Sequence, residues 1–270
     1  FLRPAELFEE GHTYGVALRG LRDSADALLA APDGFVTIRD RAFSSDRLFP
    51  RAEALDQVLD AADKHFGWER DEVQLAWSFT VASERNLSER MLAMRDAALK
   101  QVDATTPAFT VDPPADEPAA DGLADGGILR VVTGTFEVPN FLTGKGEPGS
   151  ALNNGSGPDA NPIPQQNGTF QAPFTCVIPR VALGDGDTTV PTAVALYGHG
   201  LLGSRDEVRG AAPDFAVENA ITFCATDWKG MSDEDVPNAA AILGDLSGFR
   251  TLADRLQQGM LNFLVLGRLL

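Results

Sequence analysis

The last eighty residues alternate two kinds of segment in a way that few architectures accept. PTAVALYGHG, from Pro191, is a short apolar run ending in glycines, and SRDEVRGAAPDFAVENA after it has helical composition. ITFCATDW is a second apolar run, followed by the long amphipathic stretch DLSGFRTLADRLQQGMLNFLVLGRLL. Apolar strands separated by helices predict a parallel sheet covered on both faces, an α/β architecture. In the last helix Phe249, Leu252, Leu256, Met260, Phe263 and Leu270 form one stripe, expected to pack on that sheet.

Upstream the pattern differs. Thr13 to Leu21 and Gly34 to Asp40 alternate as half-buried strands, with a turn or helical insertion between them. From Pro50, Leu55, Val58, Leu59, Ala62 and Phe66 fall on one helical stripe. Val73 to Ser83 reads as a strand with Leu75, Trp77 and Phe79 on one face, Trp77 belonging to the core. A helix with Ser88 as its cap carries Met91, Met94, Ala98 and Val102. Ala108 to Val111 then leads into DPPADEPAADGLADGG, which has nothing bulky to bury and reads as a linker over residues 112–127. The expected organisation is an accessory domain at 1–111, α+β or β-sandwich-like, and a second domain at 128–270. Within the latter, Ile128 to Leu142 and Thr169 to Leu183 read as strands around some 26 residues of turn chemistry.

Lys plus Arg number 22 against 39 Asp plus Glu, a net charge of −17 that argues against nucleic acid and against anionic lipid surfaces as partners. No run approaches a membrane helix; Met260 to Leu270 is interrupted by Asn262, Gly267 and Arg268. A chain starting at Phe1 without Met is expected to be processed or trimmed. Cys176 and Cys224 lie in strand-like contexts, FTCVIPR and TFCATDW, which allow one bridge between neighbouring strands; two buried free thiols are the alternative.

The segment with chemistry in it is Tyr197-Gly198-His199-Gly200-Leu201-Leu202-Gly203-Ser204. Glycines at the end of a buried strand let the backbone turn sharply and be approached closely, at the strand end where open α/β sheets place ligands. Amides exposed in such a turn stabilise negative charge developing on a carbonyl oxygen. The HGLLGS stretch resembles the oxyanion-hole turn of α/β-hydrolases, bacterial lipases and esterases in particular. FTCVIPR, LYGHGLLGSRDEV, CATDWKGMS and the long helix, preceded by LAWSFTVAS and its helix, resemble secreted bacterial lipases with a β-rich leading domain.

The resemblance implies hydrolysis of carboxylic esters, of lipids or polyesters, with no metal or organic cofactor, in an extracytoplasmic location. Leu201 would give its main-chain N–H to the oxyanion, with His199 and Gly200 structural parts of the turn. Leu202, Asp227 and Trp228 would shape the substrate pocket. The family's G-x-S-x-G elbow does not occur; Gly230-Met231-Ser232-Asp233-Glu234 comes nearest and lacks the final glycine. The serine, acid and base are therefore expected beyond Leu270, in the remainder of the domain or in a second chain. The rival reading from another class is a non-catalytic cell-surface binding or structural module on a hydrolase-like scaffold; the leading unit could itself be the part that attaches to a cell envelope.

Other features read more plainly. His12 and His65 are expected at the surface, and three histidines give little basis for a zinc site. Asp233, Glu234 and Asp235 read as a solvated helix start, and Gly184 to Thr189 as a hairpin turn that lacks the ligands of a calcium loop. Asn86, Asn154 and Asn167 head glycosylation triplets of the kind that arise by chance.

Overall fold

A computed structural model describes residues 3–113, 127–155, 162–184 and 188–270. The chain forms two compact units, Phe1–Leu87 and Ser88–Leu270.

The first unit contains β1 (Thr13–Arg19), α1 (Asp33–Arg39), α2 (Phe49–Phe66) and β2 (Val73–Thr80). β1 and β2 pair antiparallel, from Thr13 opposite Thr80 to Leu18 opposite Leu75. α2 starts with Pro50 in its first turn and ends at Gly67, whose left-handed φ of 65° closes the helix through an N–H bond to the Asp63 carbonyl. Its buried face, Leu55, Val58 and Leu59, meets Phe35, Val73 and Ala76. The buried Gln74 secures residues 21–29: its Nε2 donates to the carbonyls of Leu21 and Leu29, and its Oε1 accepts the Leu21 N–H. Gly34 to Asp40, expected as a strand, is instead the helix α1. Phe35 and Ile38 both pack on the core, and their three-residue spacing is that of one turn of helix, whereas a strand would place them on opposite faces. Trp77, expected in the core, is 40% exposed; its neighbour Ala76, on the other face of the strand, packs in the core with α2 instead.

The second unit begins with α3 (Arg90–Ala104) and β3 (Phe109–Val111), then β4 (Ile128–Pro139), β5 (Thr169–Pro179) and β6 (Ala193–Leu196). It continues through α4 (Val208–Ala211), α5 (Pro213–Asn219), β7 (Ile221–Thr226), α6 (Val236–Gly244) and α7 (Arg250–Leu269). The sheet order is β3-β4-β5-β7-β6, antiparallel up to β7 and parallel between β7 and β6. Helices cover both faces, as the apolar strands require. Met94 and Ala98 of α3, with Leu261, Val265 and Leu266 of α7, bury against Phe136, Val138, Phe174 and the two cysteines. Val208, Ala212 and Ala216 cover Ile128, Val177 and Ala225 on the other side. The chain is thus α/β with a mixed five-stranded sheet. No described helix is long and apolar enough to cross a membrane.

The division at 87/88 lies ahead of the expected linker at 112–127. α3 and β3 belong to the second unit because Met94 and Ala98 are buried in its core and β3 extends its sheet. Most of the linker, residues 114–126, lies outside the described residues, as do Asp185, Gly186 and Asp187 of the hairpin turn.

α7 departs most from expectation. Phe249, Met260 and Leu270 are exposed, while Asp254, Arg255, Gln258 and Asn262 are buried. Asp254, Arg255 and Gln258 bind backbone, while Asn262 Oδ1 accepts from Gln258 Nε2. Gln258 accepts the Phe141 N–H at 2.8 Å and donates to the Pro139 carbonyl at 3.0 Å, and Asp254 accepts the Leu152 N–H at 3.0 Å. The helix therefore holds the irregular segment after β4 with a polar row, and packs on the sheet through Leu261, Val265 and Leu266. Asn167, of a glycosylation triplet, secures the same segment by donating to the Leu142 and Gly144 carbonyls.

Cys176 and Cys224 sit opposite each other on β5 and β7 and form a disulfide. The bond closes a separation of 48 residues, for which loop-closure entropy gives roughly 4 kcal/mol at most and about 2–4 kcal/mol in typical proteins. Replacing both cysteines by alanine is expected to lower stability by about that amount. Urea unfolding of the oxidised protein and the double variant measures it, and equal midpoints would show that the bond adds nothing.

Candidate functional site

The carboxyl ends of the parallel strands β6 and β7 lie side by side, so residues 197–204 and 227–235 are neighbours. The Tyr197 N–H extends the ladder to the Cys224 carbonyl, after which the chain leaves the sheet. His199, 5% exposed, joins the two segments. Its Nε2 accepts the Trp228 N–H at 2.8 Å, so Nδ1 carries the proton and donates to the Gly200 carbonyl at 2.7 Å. Both ring nitrogens are engaged, which suits a structural imidazole and leaves neither free to take a proton from a nucleophile.

The peptide groups around Leu201 are held from both sides. Gly200 N–H donates to Glu207 Oε2 at 2.9 Å, and Leu202 N–H to the Met231 carbonyl at 2.7 Å. Leu202 has φ of 58°, the left-handed conformation that completes the turn. Gly203 bonds back to the Gly200 carbonyl, and its own carbonyl accepts the Asp233 N–H at 2.8 Å. A Cβ at 203 would stand 1.8 Å from Glu207 Oε1, so a side chain there would displace the Glu207 carboxylate from the turn. Between these anchored neighbours, the Leu201 N–H has no hydrogen-bond partner among the described residues, and Leu201 is 80% exposed.

The remaining expected residues have protein partners. Asp227 accepts the Arg205 N–H at 2.8 Å and Arg205 Nη1 at 2.6 Å, fixing the start of the helical segment after the turn. Trp228 lies on α7: its Nε1 donates to the Leu256 carbonyl and its ring stands 4.7 Å from that of Phe263. Gly259 makes this approach feasible, because a Cβ there would be 2.2 Å from the indole. Leu202 is half-buried in the turn itself. Ser232, in the nearest approach to an elbow motif, is buried and caps a helical turn, its Oγ donating to Asp235 Oδ2 at 3.1 Å.

The acidic run after it is solvated as expected at Asp233 and Glu234 but not at Asp235. Asp235 is fully buried and accepts from Gly230 N–H, Ser232 N–H, Ser232 Oγ and Arg255 Nε. Arg255, also fully buried, extends to Glu234 and to the Gly146 carbonyl. Burying these charges is tolerable only because each is paired and hydrogen-bonded. The reading from sequence missed Glu207, Asp235 and Arg255. Glu207 had a signal in the glycines four and seven positions before it, whereas nothing local marks the Asp235–Arg255 pair. His12 and His65 are exposed, and the described residues contain no cluster of three or more His, Cys, Asp or Glu arranged to hold a metal.

Chemically, this edge of the sheet offers, among the described residues, an unpaired amide donor at Leu201 between two bound ones, with no activated nucleophile beside it. No protein-family profile, curated protein or solved structure matches the chain.

Proposed function

We propose that the second unit is part of a serine carboxylic-ester hydrolase, in which the 197–204 turn supplies one donor of the oxyanion hole. The observation that carries this reading is the Leu201 N–H, unpaired among the described residues while the amides on either side of it are bound. A donor held in this way stabilises a developing oxyanion without reorganising. Its position after a parallel strand and before the first crossover helix is where hydrolases of this kind place that amide.

The nucleophile, acid and base come from outside these residues in this reading. The free edge of β6 supports it. Among the described residues β6 pairs only with β7, and its Val194 and Leu196 are 46% and 38% exposed. Parallel strands with apolar side chains are ordinarily covered, so we assign this edge to the strand that brings the serine. The substrate is a carboxylic ester, of a lipid or a polyester, and attack by serine needs no metal or organic cofactor. The disulfide is in keeping with an extracytoplasmic location, where such bonds persist.

The test is covalent labelling of the full-length gene product by a fluorophosphonate probe. Labelling of a serine outside residues 1–270 is expected. Failure of folded full-length protein to label would overturn the hydrolase reading and favour a binding or structural module on the same scaffold.

A further inference from the structure

Among the described residues the first unit contains two strands, and one wall of a cavity in it is a bare strand edge. The cavity, ≈ 840 Å³, is a groove between β1 (Thr13, Gly15, Val16, Ala17) and α2 (Ala54, Gln57, Val58, Ala61, Ala62, His65), closed at one end by Phe66 and Trp68. Among the described residues β1 pairs with β2 alone. The Val81 N–H donates to the His12 carbonyl, so alternation turns the N–H and C=O groups of Thr13, Gly15 and Ala17 away from β2, toward the groove side. The close Thr13–Thr80 hydroxyl contact, 2.8 Å, is the kind made by a pair whose backbones do not bond each other. Three residues at two-residue spacing thus present unpaired donors and acceptors.

We infer that this groove binds an extended peptide segment of another polypeptide, which adds to β1 as a third strand. The dimensions fit such an occupant. The α2 wall from Ala54 to His65 runs for about 16 Å at about 1.5 Å per residue, the length of about five strand residues. Val58 packs against Gly15, where a Cβ would meet it at 3.0 Å, so helix and strand are in contact beneath the groove. Beside that contact the helix presents Ala54 and Ala61, whose small side chains leave room for alternate apolar side chains of an incoming strand. Main-chain bonds to β1 supply the affinity, and the alanine floor sets the preference for medium-sized apolar residues at every second position. A two-stranded sheet is marginal alone, so a third strand also stabilises the unit.

The probe is a capped pentapeptide alternating threonine and valine, with a twin N-methylated at alternate residues so that it keeps the side chains and loses the bonding amides. Titrated into the full 270-residue chain, the first is expected to slow amide exchange at Thr13, Gly15 and Ala17 by at least about tenfold at saturation, and the twin to bind at least about tenfold more weakly. Ala61→Trp fills the exposed floor without touching the core, and Ala17→Pro deletes one outward donor at an edge position that accepts proline; each is expected to weaken binding by about tenfold or more. Equal binding of the two peptides, or unchanged exchange at millimolar peptide, overturns the proposal. So does a dimer that protects the same three amides without peptide, since the occupant would then be a second copy of this chain.

Discussion

Replacing Asp235 by alanine is expected to destabilise the second unit by about 3–5 kcal/mol, the largest stability effect of any single change considered for this chain. The carboxylate accepts four hydrogen bonds, and its removal leaves the fully buried Arg255 with only the more exposed Glu234 as an ion-pair partner. A buried guanidinium that has lost its buried partner costs more than the net value of the pair, so Asp235→Ala combined with Arg255→Met is expected to recover much of the loss. The damage should reach the candidate site. Asp235 holds Gly230 and Ser232; the residue between them, Met231, accepts the Leu202 N–H, and Asp233 donates to the Gly203 carbonyl. Urea unfolding followed by Trp228 fluorescence, with Trp68 and Trp77 replaced by phenylalanine, reads the second unit separately. A loss under about 1 kcal/mol, the range of exposed ion pairs, would show that the pair is not sealed from water.

What could be read from the sequence was what depends on neighbours in sequence. α2, α3, β2 and the strand–helix–strand alternation after Pro191 were legible because periodicity, proline and glycine act locally. The HGLLGS segment was legible as a turn because glycines at a strand end let the chain leave the sheet, and the structure adds that Glu207 lies in the space beside Gly203. α1 was not, because Val36 and Ile38 alternate as in a strand while Phe35 and Ile38 share a helical face. The face of α7 was misjudged for a deeper reason. Its buried Asp254 and Gln258 meet backbone groups more than a hundred residues away, and a polar residue that binds distant backbone looks in sequence like one that binds water. The unit boundary was misplaced for the same reason. Composition marks where a chain is solvated, whereas the units are set by which side chains share a core, and Met94 shares one with Phe136 and Leu261.

On the proposed ester-hydrolase reading, Leu201→Pro in the full-length protein is expected to lower kcat by roughly 10²–10³-fold, or about 2.7–4 kcal/mol in the barrier, with Leu201→Ala near the parent value. The proline removes the Leu201 N–H, which has no partner among the described residues, while alanine removes only an exposed side chain and keeps the amide. Proline restricts the residue before it, but that residue is Gly200, the one best able to adapt, and Leu202 N–H keeps its bond to Met231 on the far side. The fall should appear in kcat more than in KM, because the donor meets an oxygen whose charge develops only in the transition state. Circular dichroism and the unfolding midpoint of each variant separate loss of the donor from loss of the turn. If the proline variant folds and turns over like the alanine variant, the oxyanion takes its hydrogen bonds elsewhere. The fixed geometry of residues 199–203 would then serve only to join the end of β6 to the segment after β7, a role His199 and Glu207 already perform through their bonds to Trp228 and Gly200.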